Sequence, residues 1–183
     1  MPGLEPLVST PPQMTPDRTK AARDLLAFYL EAGADALHVT AGHYRSLPSA
    51  QIVLPPMTFP DATFLDFAAD VKKAVGIPVI AVGRLGDPAT ATAAVAAGKT
   101  DFVALGRTLI ADPQWVEKLR RGEPIRRCLA CNTCINEMRG GAGIGCVVNG
   151  AAGREALFAD RRPPQGERIA IIARGRVAFE GGV

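Results

Sequence analysis

The sequence predicts an α/β fold in which short parallel strands are covered by helices. Helical stripes alternate with short apolar runs three times, and a glycine (Gly33, Gly76 or Gly98) follows each helix. The runs are continuously apolar rather than alternating, as expected for strands buried on both faces of a parallel sheet. Strands and connections this short fit a (β/α)8 barrel or a doubly wound sheet. Three strands cannot close a barrel, which takes ~250 residues, so the expectation is a partial barrel or an open sheet.

The elements follow in order. Residues 1–15 carry several prolines and are expected to be extended. Thr15 is the expected N-cap of the first helix, with Pro16 at its first position. Ala22, Leu25, Leu26, Tyr29 and Leu30 fall on one face at helical spacing. DALHVT (35–40) reads as a strand, followed by a loop through Gly42 to Pro60. Phe64, Phe67, Ala68 and Val71 form the next stripe, and IPVIAVG (77–83) the second strand. Asp87 caps a helix running to Gly98, and DFVALG (101–106) is the third strand. Asp112-Pro113 is expected to open a fourth helix, PQWVEKLRRG. Beyond the cysteines, ADRRPPQGE reads as a linker, and RIAIIARG as the opening strand of a second domain that is otherwise absent. The boundaries expected are 1–125 for the partial barrel, 126–160 for the cysteine segment and 161–183 for linker and stub.

Composition narrows the function. The chain has 183 residues, 48% hydrophobic, with a formal net charge of +3. Its basic residues are scattered, so nucleic acid and membrane surfaces are not expected partners. No apolar run is long enough to span a bilayer, and no export signal opens the sequence. The compartment expected is the cytoplasm, where clustered cysteines read as a metal site rather than as disulfides.

All four cysteines, Cys128, Cys131, Cys134 and Cys146, lie in RCLACNTCINEMRGGAGIGCVVNG. Three share a C-x2-C-x2-C spacing, which suits three corners of an iron–sulfur cubane, and a glycine-rich loop brings the fourth. Zinc sites usually use two separated pairs, so a [4Fe–4S] cluster is favoured over zinc. Gly140, Gly141, Gly143 and Gly145 would let the loop bend around the cluster.

VGRL (82–85) and LGRT (105–108) each place Gly-Arg at the carboxyl end of a strand. In a barrel that end carries the active site, and the last strands often build a phosphate site. Glycine admits close approach of backbone N–H groups, and arginine adds charge and a fork of donors. The alternative for either pair is a tight turn with a solvated arginine. His43, just past the first strand, is the candidate substrate-facing residue. Tyr44 and Arg45 are weaker candidates, and His38 reads as a packed or barrel-facing strand residue rather than a ligand. In IIARGRVA the dinucleotide fingerprint positions read Ala173, Gly175 and Ala178, so nucleotide binding is not assigned.

The run IPVIAVGRLGDPATATAAVAAGKTDFVALGRTLIADP, followed by RCLACNTCINEMRGGAGIGCVVNGAAGRE, resembles the 2,4-dienoyl-CoA reductase branch of the Old Yellow Enzyme-like NADH:flavin oxidoreductases. The resemblance implies the C-terminal part of a TIM (β/α)8 barrel that binds FMN, then an iron–sulfur segment and the stub of an FAD/NAD(P)-binding domain. It implies that Gly83, Arg84, Gly106 and Arg107 hold the FMN phosphate and that the four cysteines bind [4Fe–4S]. Electrons would pass from NAD(P)H through FAD and the cluster to FMN, then to an activated C=C bond. Enzymes of similar build oxidise N-methyl amines instead. The three-cysteine spacing is one residue tighter than the C-x2-C-x3-C of the best-known dienoyl-CoA reductases. The early barrel strands and the tyrosine proton donor of those reductases lie outside this sequence. The expected partners are therefore a small-molecule substrate and the missing barrel half on another chain or a second copy. The alternative is a non-catalytic fragment.

Overall fold

A computed structural model describes residues 16–45, 52–158, 170–173 and 176–179. The extended segment expected over 1–15 and most of the linker lie outside these residues. Helix α1 (Pro16–Glu31) begins at the expected proline and stops before Gly33, whose φ of +82° only glycine adopts freely. The strands are β1 (Leu37–Val39), β2 (Val79–Ala81) and β3 (Phe102–Val103), shorter at both ends than the apolar runs. They form one parallel sheet in the order β1-β2-β3. Helices α2 (Leu65–Ala74) and α3 (Pro88–Ala96) connect them. This is the α/β alternation that the sequence predicts, with β2 in the centre.

The core follows from that order. Val79 and Ala81 of β2 are fully buried, and they pack with Leu65 and Ala68 of α2 and with Leu85 and Ala94. A second cluster of Ile52, Phe59 and Phe64 lies under the loop entering α2. Asp101 fixes the start of the central strand: its carboxylate accepts from the Val79 N–H at 2.7 Å and from Lys72 Nζ at 2.8 Å. By contrast α1 leaves Leu25, Phe28 and Tyr29 exposed, and Phe102 of β3 is 58% exposed. The apolar stripe read on α1 is real, but none of the described elements covers it.

After β3 the chain departs from expectation. A short helix, α4 (Arg107–Ala111), begins directly at the second Gly-Arg pair, and α5 (Trp115–Arg121) follows with Gln114 at its N-cap position and no side-chain cap bond. The helix expected to open at Asp112-Pro113 thus starts two residues later, after a turn over 113–114. The buried Asp112 carboxylate holds that turn by accepting from the Gln114 N–H (3.2 Å), and it also accepts from Lys118 Nζ (2.8 Å) and the Arg126 N–H (2.8 Å). Within the cysteine segment an unforeseen helix, α6 (Thr133–Arg139), carries Cys134, and α7 (Glu155–Phe158) follows. The strand expected in RIAIIARG is present as β4 (Ala170–Ala173), and it pairs antiparallel with β5 (Arg176–Phe179). A second strand thus stands where a dinucleotide fold would turn into a helix, in keeping with the substituted fingerprint.

Candidate functional site

The carboxyl ends of the three parallel strands open into a cleft. Its walls include Thr40, Leu54, Pro55, Gly83, Arg84, Gly106, Arg107 and Cys128. Both Gly-Arg pairs and the first cysteine thus face one space.

Gly83 has φ +108°, and a Cβ there would stand 2.5 Å from the Phe64 ring. Only glycine fits between the strand end and that ring. Gly86 is constrained by packing alone, since a Cβ would overlap the Thr108 hydroxyl. Trp115, buried on α5, donates from Nε1 to the Gly86 carbonyl at 3.0 Å. The loops after β2 and β3 are therefore stitched together. Gly106 is different: no atom lies within 4 Å of its Cβ position, so the approach to the start of α4 is open. The first N–H groups of α4 have no acceptor within the helix.

The two arginines serve different neighbours. Arg84 holds a left-handed backbone conformation, φ +56°. Its guanidinium donates to Pro60 O (3.1 Å), Pro56 O (3.1 Å) and Asp61 Oδ1 (2.8 Å). Three of its five donors thus clamp the loop before α2. Arg107 donates to Asn132 Oδ1 and, at 2.9 Å, to Pro55 O. Burial pulls its guanidinium below the usual value; the Cys128, Cys134 and Cys131 thiols oppose that shift, and Arg84 adds to it.

Asn132, between Cys131 and Cys134, was not singled out from the sequence. It adopts φ +62°, and its Nδ2 donates to Leu54 O at 3.0 Å. Its side chain therefore ties the cysteine loop to the cleft wall. Asn149, also missed, is buried and donates from Nδ2 to Ile110 O at 2.9 Å, tying the far side of the segment to α4. Both residues are small polar groups within loops, and an asparagine next to a glycine or cysteine is the one signal that marks them.

The cysteines are all free thiols. Hydrogen bonds from the side chain and backbone of Thr133 hold the Cys131 thiol below its usual range, whereas burial pushes the Cys134 thiol up. Cys134 also feels Cys128 and Cys131 as like charges, so these three thiols are electrostatic neighbours. Among the described residues no three His, Cys, Asp or Glu side chains converge as one metal ion requires. A cubane gives each thiolate its own iron, so its ligands surround it at wider spacing than those of a single ion. The donor set around Arg107, three thiols beside a cation, fits that chemistry. Cys146 lies past the glycine loop, where its carbonyl accepts from Asn149 N at 3.3 Å. Gly141 and Gly143 bend that loop at positive φ, and a Cβ on Gly145 would overlap the Glu137 carboxylate.

His43 does not line the cleft. It is exposed, and its Nδ1 accepts from the Arg45 N–H at 3.1 Å. Tyr44 lies under the Arg139 guanidinium at 4.9 Å, and His38 is an exposed residue of β1.

The chain belongs to the NADH:flavin oxidoreductase / NADH oxidase family, whose model matches residues 22–125. This bears out the resemblance to the NADH:flavin oxidoreductases. An NADH oxidase of Thermoanaerobacter brockii is 37% identical over 84% of this chain and 24% of its own length. A cinnamate reductase of Clostridium sporogenes is 33% identical over 90% of this chain and 24% of its own length. A solved 2-naphthoyl-CoA reductase in complex with 2-naphthoyl-CoA superposes with a TM-score of 0.67 at 30% identity, covering 74% of this chain and 21% of that one. Amine-oxidising enzymes, a probable N-methylproline demethylase and a dimethylamine dehydrogenase, also match. The chain spans about a quarter of the length of the first two curated relatives. No helix among the described residues is long and apolar enough to cross a membrane.

Proposed function

We propose that this chain is the phosphate-binding and cluster-binding part of a flavin oxidoreductase that reduces an activated C=C bond, in the manner of a dienoyl-CoA or enoate reductase. The observation that carries the reading is Arg107, which lines the strand-end cleft and is held by the cysteine loop. When bound, FMN supplies hydride chemistry at the substrate, and a [4Fe–4S] cluster supplies single electrons drawn from NAD(P)H through FAD.

The chain's own residues do the following. Gly106 keeps its strand end free of side-chain bulk, so that backbone N–H groups can meet a phosphate, and Gly83 lets the neighbouring strand end turn into the cleft against the Phe64 ring. Arg107 contributes charge and remaining donors to the same phosphate. Arg84 contributes its positive charge at the edge of the cleft while its fork fixes the loop that forms one wall. Cys128, Cys131, Cys134 and Cys146 are the iron ligands. His43 keeps a role at the substrate only if that loop approaches the cleft in the whole enzyme.

Anaerobic reconstitution with iron and sulfide is expected to give about four irons per chain and a broad visible band. One zinc per chain with no iron overturns the cluster. With FMN added, co-elution of flavin on gel filtration is expected, and complete washing-out favours a non-catalytic fragment. The amine relatives favour one second reading, oxidation of an N-methyl amine. Turnover of sarcosine or dimethylamine, with none of cinnamate or an enoyl thioester, by a whole enzyme containing this segment would replace the enoate reading.

A further inference from the structure

We propose that Arg107 is a shared cation, held by Asn132, through which anion binding in the strand-end cleft and the charge of the cysteine-bound cluster oppose each other. The inference rests on the cluster and phosphate reading above and goes beyond it in assigning a coupling and a positioning residue.

Three observations carry it. Arg107 lines the cleft together with Gly83, Gly106 and Cys128, so a phosphate there meets its guanidinium. The same guanidinium shares that cleft with Cys128 and bonds Asn132, the residue after Cys131 and two before Cys134. It is half-buried, where screening by water is weak. Its direction is not free: Asn132 Oδ1 and Pro55 O take one Nη each, and Asn132 Nδ2 is itself fixed on Leu54 O at 3.0 Å. Asn132 stands between two of the cysteines with φ +62°, so its side chain reports the position of the cysteine loop to the cleft.

The consequence is linkage. Reducing the cluster by one electron adds one negative charge beside Arg107; no proton moves and no bond breaks. That charge would offset the field of the fixed cation in the cleft and so disfavour a second anion there. By reciprocity, an anion in the cleft disfavours reduction of the cluster by the same factor. A flavin phosphate seated there would set the cluster's potential.

The test is a redox titration of the iron-reconstituted chain with dithionite and mediators. Saturating inorganic phosphate, a redox-silent probe, is compared with chloride at equal ionic strength. Phosphate is expected to lower the midpoint by about 59 mV, which corresponds to tenfold weaker phosphate binding by the reduced form. Arg107→Gln should abolish the shift. Asn132→Gly, which suits the positive φ, should shrink it severalfold in the fraction of protein that carries the cluster, with iron per chain measured on the same sample. No phosphate-dependent shift in the wild type, or an equal shift in Arg107→Gln, overturns the coupling while the cluster stands. An equal shift in Asn132→Gly removes Asn132 as the positioning residue. Failure to take up iron at all overturns the cluster reading and the coupling together.

Discussion

Arg84 and Arg107 stand at equivalent places, each following a glycine at a strand end, yet they face different partners. Arg84 reaches back 23–28 residues to Pro60, Pro56 and Asp61, and Arg107 reaches forward 25 residues to Asn132. The sequence makes both legible as strand-end cations; it does not reveal which neighbours claim them, because those contacts are long-range. The glycines are legible for a physical reason, since Gly83 combines a positive φ with a ring against its Cα. Gly83→Ala is expected to cost roughly 2–4 kcal/mol, from left-handed strain and overpacking against Phe64. Urea denaturation at neutral pH measures it, and a cost below 0.5 kcal/mol would show that the ring simply moves aside. His43 illustrates the opposite case. Its position after a strand end is visible in the sequence, but it is exposed and not among the residues that line the cleft.

At the scale of elements, the helices and strands before residue 107 were readable because apolar periodicity and caps agree there. Asp87 caps α3 as read: its carboxylate accepts from the Thr90 N–H at 3.0 Å. The Asp112-Pro113 pair carries the same local signal: Asp112 Oδ1 accepts from the Gln114 N–H, while Lys118 and the Arg126 N–H share its other oxygen. Burial by itself would raise the Asp112 carboxyl, and Lys118 with the backbone of Arg126 and Gln114 outweighs burial and holds it below its usual value. Because the folded value lies below the unfolded one (~3.9), this stabilisation is complete above that pH and fades as pH falls through the folded value. Asp112→Asn should therefore destabilise by about 2–3 kcal/mol at pH 7, with the gap from wild type narrowing toward pH 3. Comparing the two proteins removes the parallel contributions of Asp87 and Asp101, whose carboxyls are also lowered. A gap that stays constant with pH would contradict the assignment. Helix α6 was hidden because cysteines and asparagine dominate its start. The segment around it is anchored by Asn149, so Asn149→Ala should cost ~1–2 kcal/mol and speed iron loss to a chelator, followed by absorbance. Unchanged iron release would show that the Ile110 contact does not hold the segment.

For the whole molecule, the described sheet has β1 and β3 as edges, each paired on one side only. Exposed Leu25, Phe28 and Tyr29 on α1 lie beside no covering element among the described residues. Unpaired edges and apolar faces favour association. Light scattering of the isolated chain is expected to give a mass above the 19.2 kDa monomer that rises with concentration; a strict monomer at all concentrations would contradict this. The open sheet was legible from the count of three strands. The hairpin β4–β5 was not, since its second strand carries no signal beyond a short apolar alternation. What unites the molecule is the convergence of strand ends and cysteine loop on Arg107. The most direct measurement of that convergence is the affinity of FMN relative to riboflavin, by quenching of flavin fluorescence on the iron-reconstituted chain. The two flavins differ only in the phosphate, so residues that hold the ring do not affect the comparison. FMN is expected to bind at least tenfold more tightly, about 1.4 kcal/mol, and Arg107→Gln to erase the difference; equal affinities in the wild type would contradict a phosphate site at these strand ends.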